Sequence, residues 1–483
     1  MKYLDLIEDS KDDMIKTLCE LISIRSVAEQ GTDEIPFGQG VHDAFLYMLN
    51  LAEKDGFNTL NIENYGGHVE FGGYILDEEG DIVGTNDEAF GVLVHLDVVP
   101  EGNDWEFPPF GGEISEGKIY GRGAIDNKGP AVCAYYAMKA LKDSGFMPEK
   151  KVRLVLGLDE EAAWKGMEKY LQKVKAPDMS FTPDAVFPVI HGEKGILIFE
   201  LAKKINKGIS KGLELRSFKG GNAANMVADF ARVVVRDDNP KMYDKIREKA
   251  TKYKKKHEYK LNVKGIGKSL EITTKGVSSH GARPESGLNA ISIMMDFLKE
   301  LPFANEDVKD LIAFYNKHIG FELDGTSMGC GLSDEQSGSL VFNVGMIEMD
   351  AQAGIITINI RYPVTMDETA VYDAMMPIVN RYNLGVVKLK HQHAIYFPKD
   401  DPLITTLMNV YRKHTGDNES QPIVIGGGTY ARAVENAVAF GGLFPEQEDV
   451  THKKDEYIDI DNMILMSKIY AEAIYELTEK SSS

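Results

Sequence analysis

Five short stretches carry side chains suited to acid–base or metal chemistry. "VHLDVVP" holds His95 and Asp97 two residues apart, and "GRGAIDNKGP" sets Asp126 in a Gly-rich turn ahead of a helical pattern. "LDEE" ends in Asp159, Glu160 and Glu161, "TPDAVFP" holds Asp184, and "VTHKKDE" holds His452. Each has an ordinary reading. His95 fits a core histidine, Asp126 a helix cap, Glu160–Glu161 a solvated helix start, Asp184 a turn and His452 a surface residue. Together they form a borderline-hard ligand set of imidazoles and carboxylates, suited to zinc, manganese or cobalt. Clustered carboxylates repel in a partly desolvated pocket, and two divalent cations relieve that repulsion. In such a centre one carboxylate bridges and a water becomes the nucleophile. Asp126, in a turn that glycine leaves open to close approach, suits the bridge. Asp97 suits the orientation of the His95 ring. Of Glu160 and Glu161, one would face a cation and the other the water as general base.

Positioning these groups requires strands that end together. "GVLVHLD" (residues 91–97) and "KVRLVLGLDEE" read as near-continuous apolar strands, as in a buried parallel sheet. Helical spacing recurs over residues 3–24 and 40–54. It recurs after Pro130 (Val132, Tyr135, Met138, Leu141), in "AAWKGMEKYLQKV" and in "MILMSKIYAEAIYELTE". Strands alternating with helices predict an α/β fold, a mainly parallel sheet between helices, and open sheets of this kind bind ligands beyond the strands' carboxyl ends. From about residue 193 to 388 the pattern changes to β-rich runs such as "GILIFELA", "LEITTKGV" and "GIITINIRYP", with helical stretches at 223–235 and 288–301. We expect an inserted α+β domain over 193–388, between catalytic-domain segments 1–192 and 389–483.

Composition narrows the partners. The 483 residues suit two or three domains. Lys and Arg number 54 against 75 Asp and Glu, a net charge of −21, which disfavours nucleic acid and anionic membrane. The N-terminus lacks the apolar core of a signal peptide, and no apolar run is long enough for a membrane span. Three widely spaced cysteines fit a reducing, cytoplasmic setting rather than a disulfide framework.

"HLDVVP", "GRGAIDNKGP", "LDEE", "SSHGARP" and "GGGTYAR" together resemble the di-metal aminoacylase/carboxypeptidase/carnosinase peptidase superfamily. "NDWEFPPF", "FTPDAVFPVIHGEKG" and "GVSSHGARPESGLNA" are similar to its bacterial PepV-type dipeptidases. The resemblance runs from about residue 7 to 477. It implies that His95 and Asp184 bind one cation, Glu161 and His452 the other, and that Asp126 bridges them through a cis Asp126–Asn127 peptide. Glu160 is implied as general base, with Asp97 as its companion at His95. The inserted domain is implied to be a lid whose His280 polarises the scissile carbonyl, while Asn225 and Arg361 hold the substrate. Gly426, Gly427 and Gly428 are implied to offer backbone N–H groups to its carboxylate. The lid is long enough to be doubled, which implies a monomer. The implied activity is hydrolysis of dipeptides with two divalent cations, Zn2+ foremost, with Mn2+ or Co2+ as alternatives. An N-acyl amino acid amidohydrolase and a non-catalytic metal-binding protein are the rival readings.

Overall fold

Residues 90–94 form an apolar run buried on both faces of a sheet, and this strand sits at the centre of the first of two compact units. The computed structural model describes residues 2–77, 79–206 and 211–479. The first unit comprises residues 1–191, 397–423 and 428–483, and the second residues 192–396 and 424–427. The chain thus leaves the second unit past the expected position 388/389, because strand Gly385–Gln392 still pairs with Gly195–Lys204.

In the first unit, the sheet runs in the order Asn58–Asn61, Gly67–Gly72, Lys151–Gly157, Ala89–His95, Met179–Thr182, Ala437–Ala439, then Ile190. The four strands from Lys151–Gly157 to Ala437–Ala439 are mutually parallel; the flanking ones are antiparallel. Helix Lys128–Asp143 buries Val132, Tyr135, Met138 and Leu141 and packs on Ile460–Thr478. The N-terminal helical pattern is interrupted at Ser10, giving Lys2–Asp9 and Lys11–Ser23. Gln39–Lys54 and Pro402–Thr415 complete the main helices of the apolar core.

The second unit is an antiparallel eight-stranded sheet in two halves. One half contains Lys260–Ile266, Ser269–Lys275, Phe230–Arg236 and Glu214–Gly220; the other contains Val341–Met349, Ala353–Tyr362, Gly195–Lys204 and Gly385–Gln392. They join where Phe218–Gly220 pairs with Ile347–Met349. Helices Pro240–His257, Ala290–Leu298, Glu306–His318 and Glu368–Arg381 share its core. The expected helix at 223–235 is instead a loop followed by strand Phe230–Arg236. Its β-branched "RVVVR" alternates between exposed and covered positions, and cross-strand pairing decides such short apolar runs. Among the described residues, no helix is long and apolar enough to cross a membrane.

Candidate metal centre

Parallel register brings three strand ends to one edge. His95 lies opposite Gly157, so His95 and the turn after Gly157, with Asp159, Glu160 and Glu161, emerge side by side. The neighbouring strand Met179–Thr182 delivers Asp184 two residues past its end.

Asp126 stands between two histidines. Its Oδ1 lies 3.1 Å from His95 Nε2, and its Oδ2 lies 3.0 Å from His452 Nε2. Asp184 Oδ1 is 3.6 Å from His95 Nε2, and Glu161 Oε1 is 2.9 Å from His452 Nε2. The ligand atoms of His95, Asp126 and Asp184 lie within 4.8 Å of one another, as do those of Asp126, Glu161 and His452. His95, Glu160 and Glu161 satisfy the same limit. His95, Asp126, Glu160, Glu161, Asp184 and His452 therefore converge. His452 sits at the rim, its side chain half exposed, with left-handed backbone at φ 62°.

The tautomer of His95 identifies what the pocket accepts. Nδ1 lies 3.0 Å from the Asp97 carbonyl oxygen, so Nδ1 carries the proton and donates it there. A neutral ring then aims its Nε2 lone pair at the carboxylates of Asp126 and Asp184. Only a proton or a cation satisfies that arrangement. Burial works against charge on His95, yet Asp126, Asp184 and Asp97 outweigh it and raise its pKa well above the ordinary histidine value. Burial opposes charge on His452 too, but Asp126 and Glu161 hold it up to about 10. Asp126 shows the reciprocal effect: burial pushes it up, and the two imidazoles pull it well below the usual carboxylate range. Burial raises Asp184 to about 6 and, reinforced by Asp184, lifts Glu160 well above its ordinary value. Five carboxylates (Asp97, Asp126, Glu160, Glu161, Asp184) face two imidazoles, an excess of negative charge that fits divalent cations.

Asp97 does more than face the His95 ring. Its Oδ1 lies 3.5 Å from His95 Nδ1, and its two oxygens accept N–H bonds from Glu160 (3.1 Å) and Glu161 (3.0 Å). Asp97, fully buried, thus holds the His95 ring through its carbonyl and the backbone of both acids of "LDEE" through its carboxylate. Asp159 points elsewhere and accepts the N–H groups of Lys165 and Gly166, at the start of helix Lys165–Lys173.

The Gly-rich turn does not use Asp126 as a cap. The residue preceding helix Lys128–Asp143 is Asn127, and it makes no side-chain cap bond. The Asp126–Asn127 peptide is cis. Asn127 Nδ2 instead donates to the Pro183 carbonyl (2.8 Å) and to Asp184 Oδ1 (3.3 Å). Glu456 accepts the N–H groups of Ile125 (3.0 Å) and Asp126 (3.2 Å) on one oxygen, and Arg122 Nη1 at 2.6 Å on the other. Asn127 and Glu456 were not among the sequence-nominated groups, because neither stands at a strand end and both serve backbone atoms. Tyr430, in "GGGTYAR", is also buried. Its ring lies edge-on to His95 and fills the space over Gly157, where a Cβ would sit 2.3 Å from a ring carbon.

His280, Asn225, Arg361, Gly426 and Gly427 belong to the second unit, and Gly428 to the first. Within the second unit, Met226 bridges His280, Gly281 N–H donates to the Asn225 carbonyl at 2.7 Å, and Gly426 adjoins Ala282. Arg361 is buried and donates through Nε to Asn359 Oδ1 at 3.0 Å. Asn359 pairs with Asn343, whose Nδ2 donates to the Met226 carbonyl at 2.9 Å. An asparagine pair, absent from the sequence reading, thus links Arg361 to the His280 loop.

Residues 91–476 match the peptidase family M20/M25/M40. The chain is 37% identical over 475 residues to the "Putative dipeptidase YtjP" of Bacillus subtilis, covering 97% of this chain and 98% of that one. Among solved structures it resembles human carnosine dipeptidase 1 (TM-score 0.56, 16% identity, 99% and 98% of the two chains). It also resembles the aminoacylhistidine dipeptidase of Vibrio alginolyticus (TM-score 0.57, 15% identity, 96% of each chain). The chain belongs to peptidase family M20/M25/M40.

Proposed function

We propose that this chain is a cytoplasmic metallo-dipeptidase that works as a monomer with two divalent cations, zinc foremost and manganese or cobalt as alternatives. The observation that carries the reading is Asp126, which presents one oxygen to each of two histidine–carboxylate groups. His95, Asp184 and Asp126 would hold one cation, and Glu161, His452 and Asp126 the other. When bound, such cations supply Lewis-acid polarisation of a carbonyl and an acidified water. Glu160 takes the proton of the attacking water on its carboxylate and returns it to the leaving amine. Asp97 holds the Glu160 and Glu161 backbone while this happens. We assign the first unit as the catalytic domain and the second as its lid. Within the lid, His280 is assigned to the scissile carbonyl, and Asn225 and Arg361 to the substrate's C-terminal carboxylate or the oxyanion. Gly426, Gly427 and Gly428 are assigned to its carboxylate through backbone N–H groups.

The test is hydrolysis of matched dipeptides, tripeptides and N-acyl amino acids by cation-stripped protein, with Zn2+, Mn2+ or Co2+ added back. The expected result is restored turnover of dipeptides above the other two classes. Preferred turnover of N-acyl amino acids moves the assignment to an amidohydrolase. Absence of turnover with every cation overturns it.

A pH effect follows from His452. With its pKa held up to about 10, this ring is protonated at neutral pH, whereas a ligating imidazole must be neutral. Loading the stripped protein therefore releases at least one proton, and apparent cation affinity weakens as pH falls. Calorimetry at neutral pH in buffers of different ionisation enthalpy measures the release directly, and a value of zero overturns the expectation that a protonated His452 becomes a ligand.

A further inference from the structure

The second unit carries another ligand cluster, separate from the groups above. His391 lies in strand Gly385–Gln392, and His393 follows just past the strand's end. Their ring centroids are 4.3 Å apart, with planes at 71°. Glu368, the first residue of helix Glu368–Arg381, brings Oε2 to 3.4 Å from His391 Nε2. Ligand atoms of Glu368, His391 and His393 lie within 4.8 Å of one another. A phenol stands beside them: Tyr362 Oη is 2.9 Å from His391 Nε2. Tyr362 is fully buried, and its ring occupies the space over Gly195, where a Cβ would sit 1.8 Å from a ring carbon. The absence of a side chain at Gly195 leaves room for that ring.

We propose that Glu368, His391 and His393 form a third cation site, selective for zinc-like transition metals, with the Tyr362 hydroxyl as a further oxygen donor in reach. Charge supports it. A single divalent cation can use a nitrogen of each ring together with the carboxylate charge. Donor type supports selectivity. Two nitrogens with one carboxylate favour Zn2+, Ni2+ or Cu2+ over Mn2+ and Mg2+, which prefer oxygen-rich sets. Access supports exchange: Gly385–Gln392 is the outermost strand of its sheet, and His393 is exposed. A cation here ties the start of helix Glu368–Arg381 to that edge strand.

The test counts Zn2+ and Mn2+ bound per full-length chain by equilibrium dialysis at micromolar free cation, for wild type, His393→Ala and Glu368→Gln. Wild type is expected to hold one more Zn2+ than either variant and no additional Mn2+. The readout is that difference rather than the total, so it stands whether or not the first unit holds two cations. Circular dichroism confirms that the variants are folded, and His393→Ala alters only an exposed side chain. As an independent readout, Zn2+ protects His391 and His393 from diethylpyrocarbonate in wild type, measured by peptide mass. Equal Zn2+ content in all three proteins, or protection that requires millimolar Zn2+, overturns the proposal.

Discussion

Glu160→Gln is expected to lower kcat for dipeptide hydrolysis by about 10³-fold, within the usual range for loss of a general base, while bound-cation content stays at the wild-type level. The substitution keeps shape and hydrogen-bonding reach but removes the ability to take a proton. Its backbone stays anchored, because the N–H of residue 160 bonds Asp97 whatever the side chain. The environment suits a base. Burial and then the Asp184 charge raise the Glu160 pKa, while positive charge from His95 lowers it, and entering cations act in the same direction as His95. A carboxylate raised above its ordinary range holds a proton more readily, which suits a group that must take one and return it. Glu161→Gln makes the contrast. It removes the oxygen 2.9 Å from His452 Nε2, so cation content should fall together with activity. Kinetics and metal analysis of the two variants separate the roles. Glu160 also lies within ligand distance of His95 and Glu161. If Glu160→Gln loses a cation, Glu160 is a ligand; if it keeps activity within tenfold of wild type, the base lies elsewhere.

The converging groups were legible because a strand's end is legible. An apolar run that stops at a histidine or an acid marks both the element and the edge where its last side chains emerge, and His95, Glu160 and Glu161 were found this way, while Asp184 was marked by the apolar run that follows it. His452 had no such frame: it stands in a charged stretch ahead of the last helix, where a surface histidine is the ordinary reading. The groups that support the centre were hidden for a physical reason. Glu456 and Asn127 satisfy backbone or neighbouring side-chain atoms from other parts of the chain, and no linear pattern records which N–H lacks a partner. Asn343 and Asn359 face each other across strands whose apolar neighbours dominate the reading. A helix cap was the ordinary reading of Asp126, and its two oxygens instead face two imidazoles. One expectation failed locally. Residues 223–235 looked helical from spaced apolar side chains, but a short apolar run does not distinguish a helix from a strand that pairs on both sides.

Glu456→Ala is expected to be the most damaging single change to stability outside the apolar core, at about 3–5 kcal/mol. Both members of the Arg122–Glu456 pair are nearly fully buried, and their 2.6 Å contact leaves Arg122 no route to water. Removing the carboxylate strands a guanidinium in the interior, and the N–H groups of Ile125 and Asp126 lose their acceptor. Exposed pairs behave differently: Lys11–Asp461, with side chains 40% and 91% exposed, should contribute less than about 1 kcal/mol. Urea unfolding of Glu456→Ala beside Asp461→Ala measures this gap. Arg122→Met/Glu456→Leu tests its origin. The double change removes the isolated charge but not the two orphaned N–H groups, so it should recover part of the loss and not all of it. Because those N–H groups position the turn that carries Asp126, cation affinity should also fall, by about 10–100-fold, even in the double variant. If stability returns to wild type and affinity does not fall, Glu456 serves only to neutralise Arg122, and the turn is held by Asn127 instead.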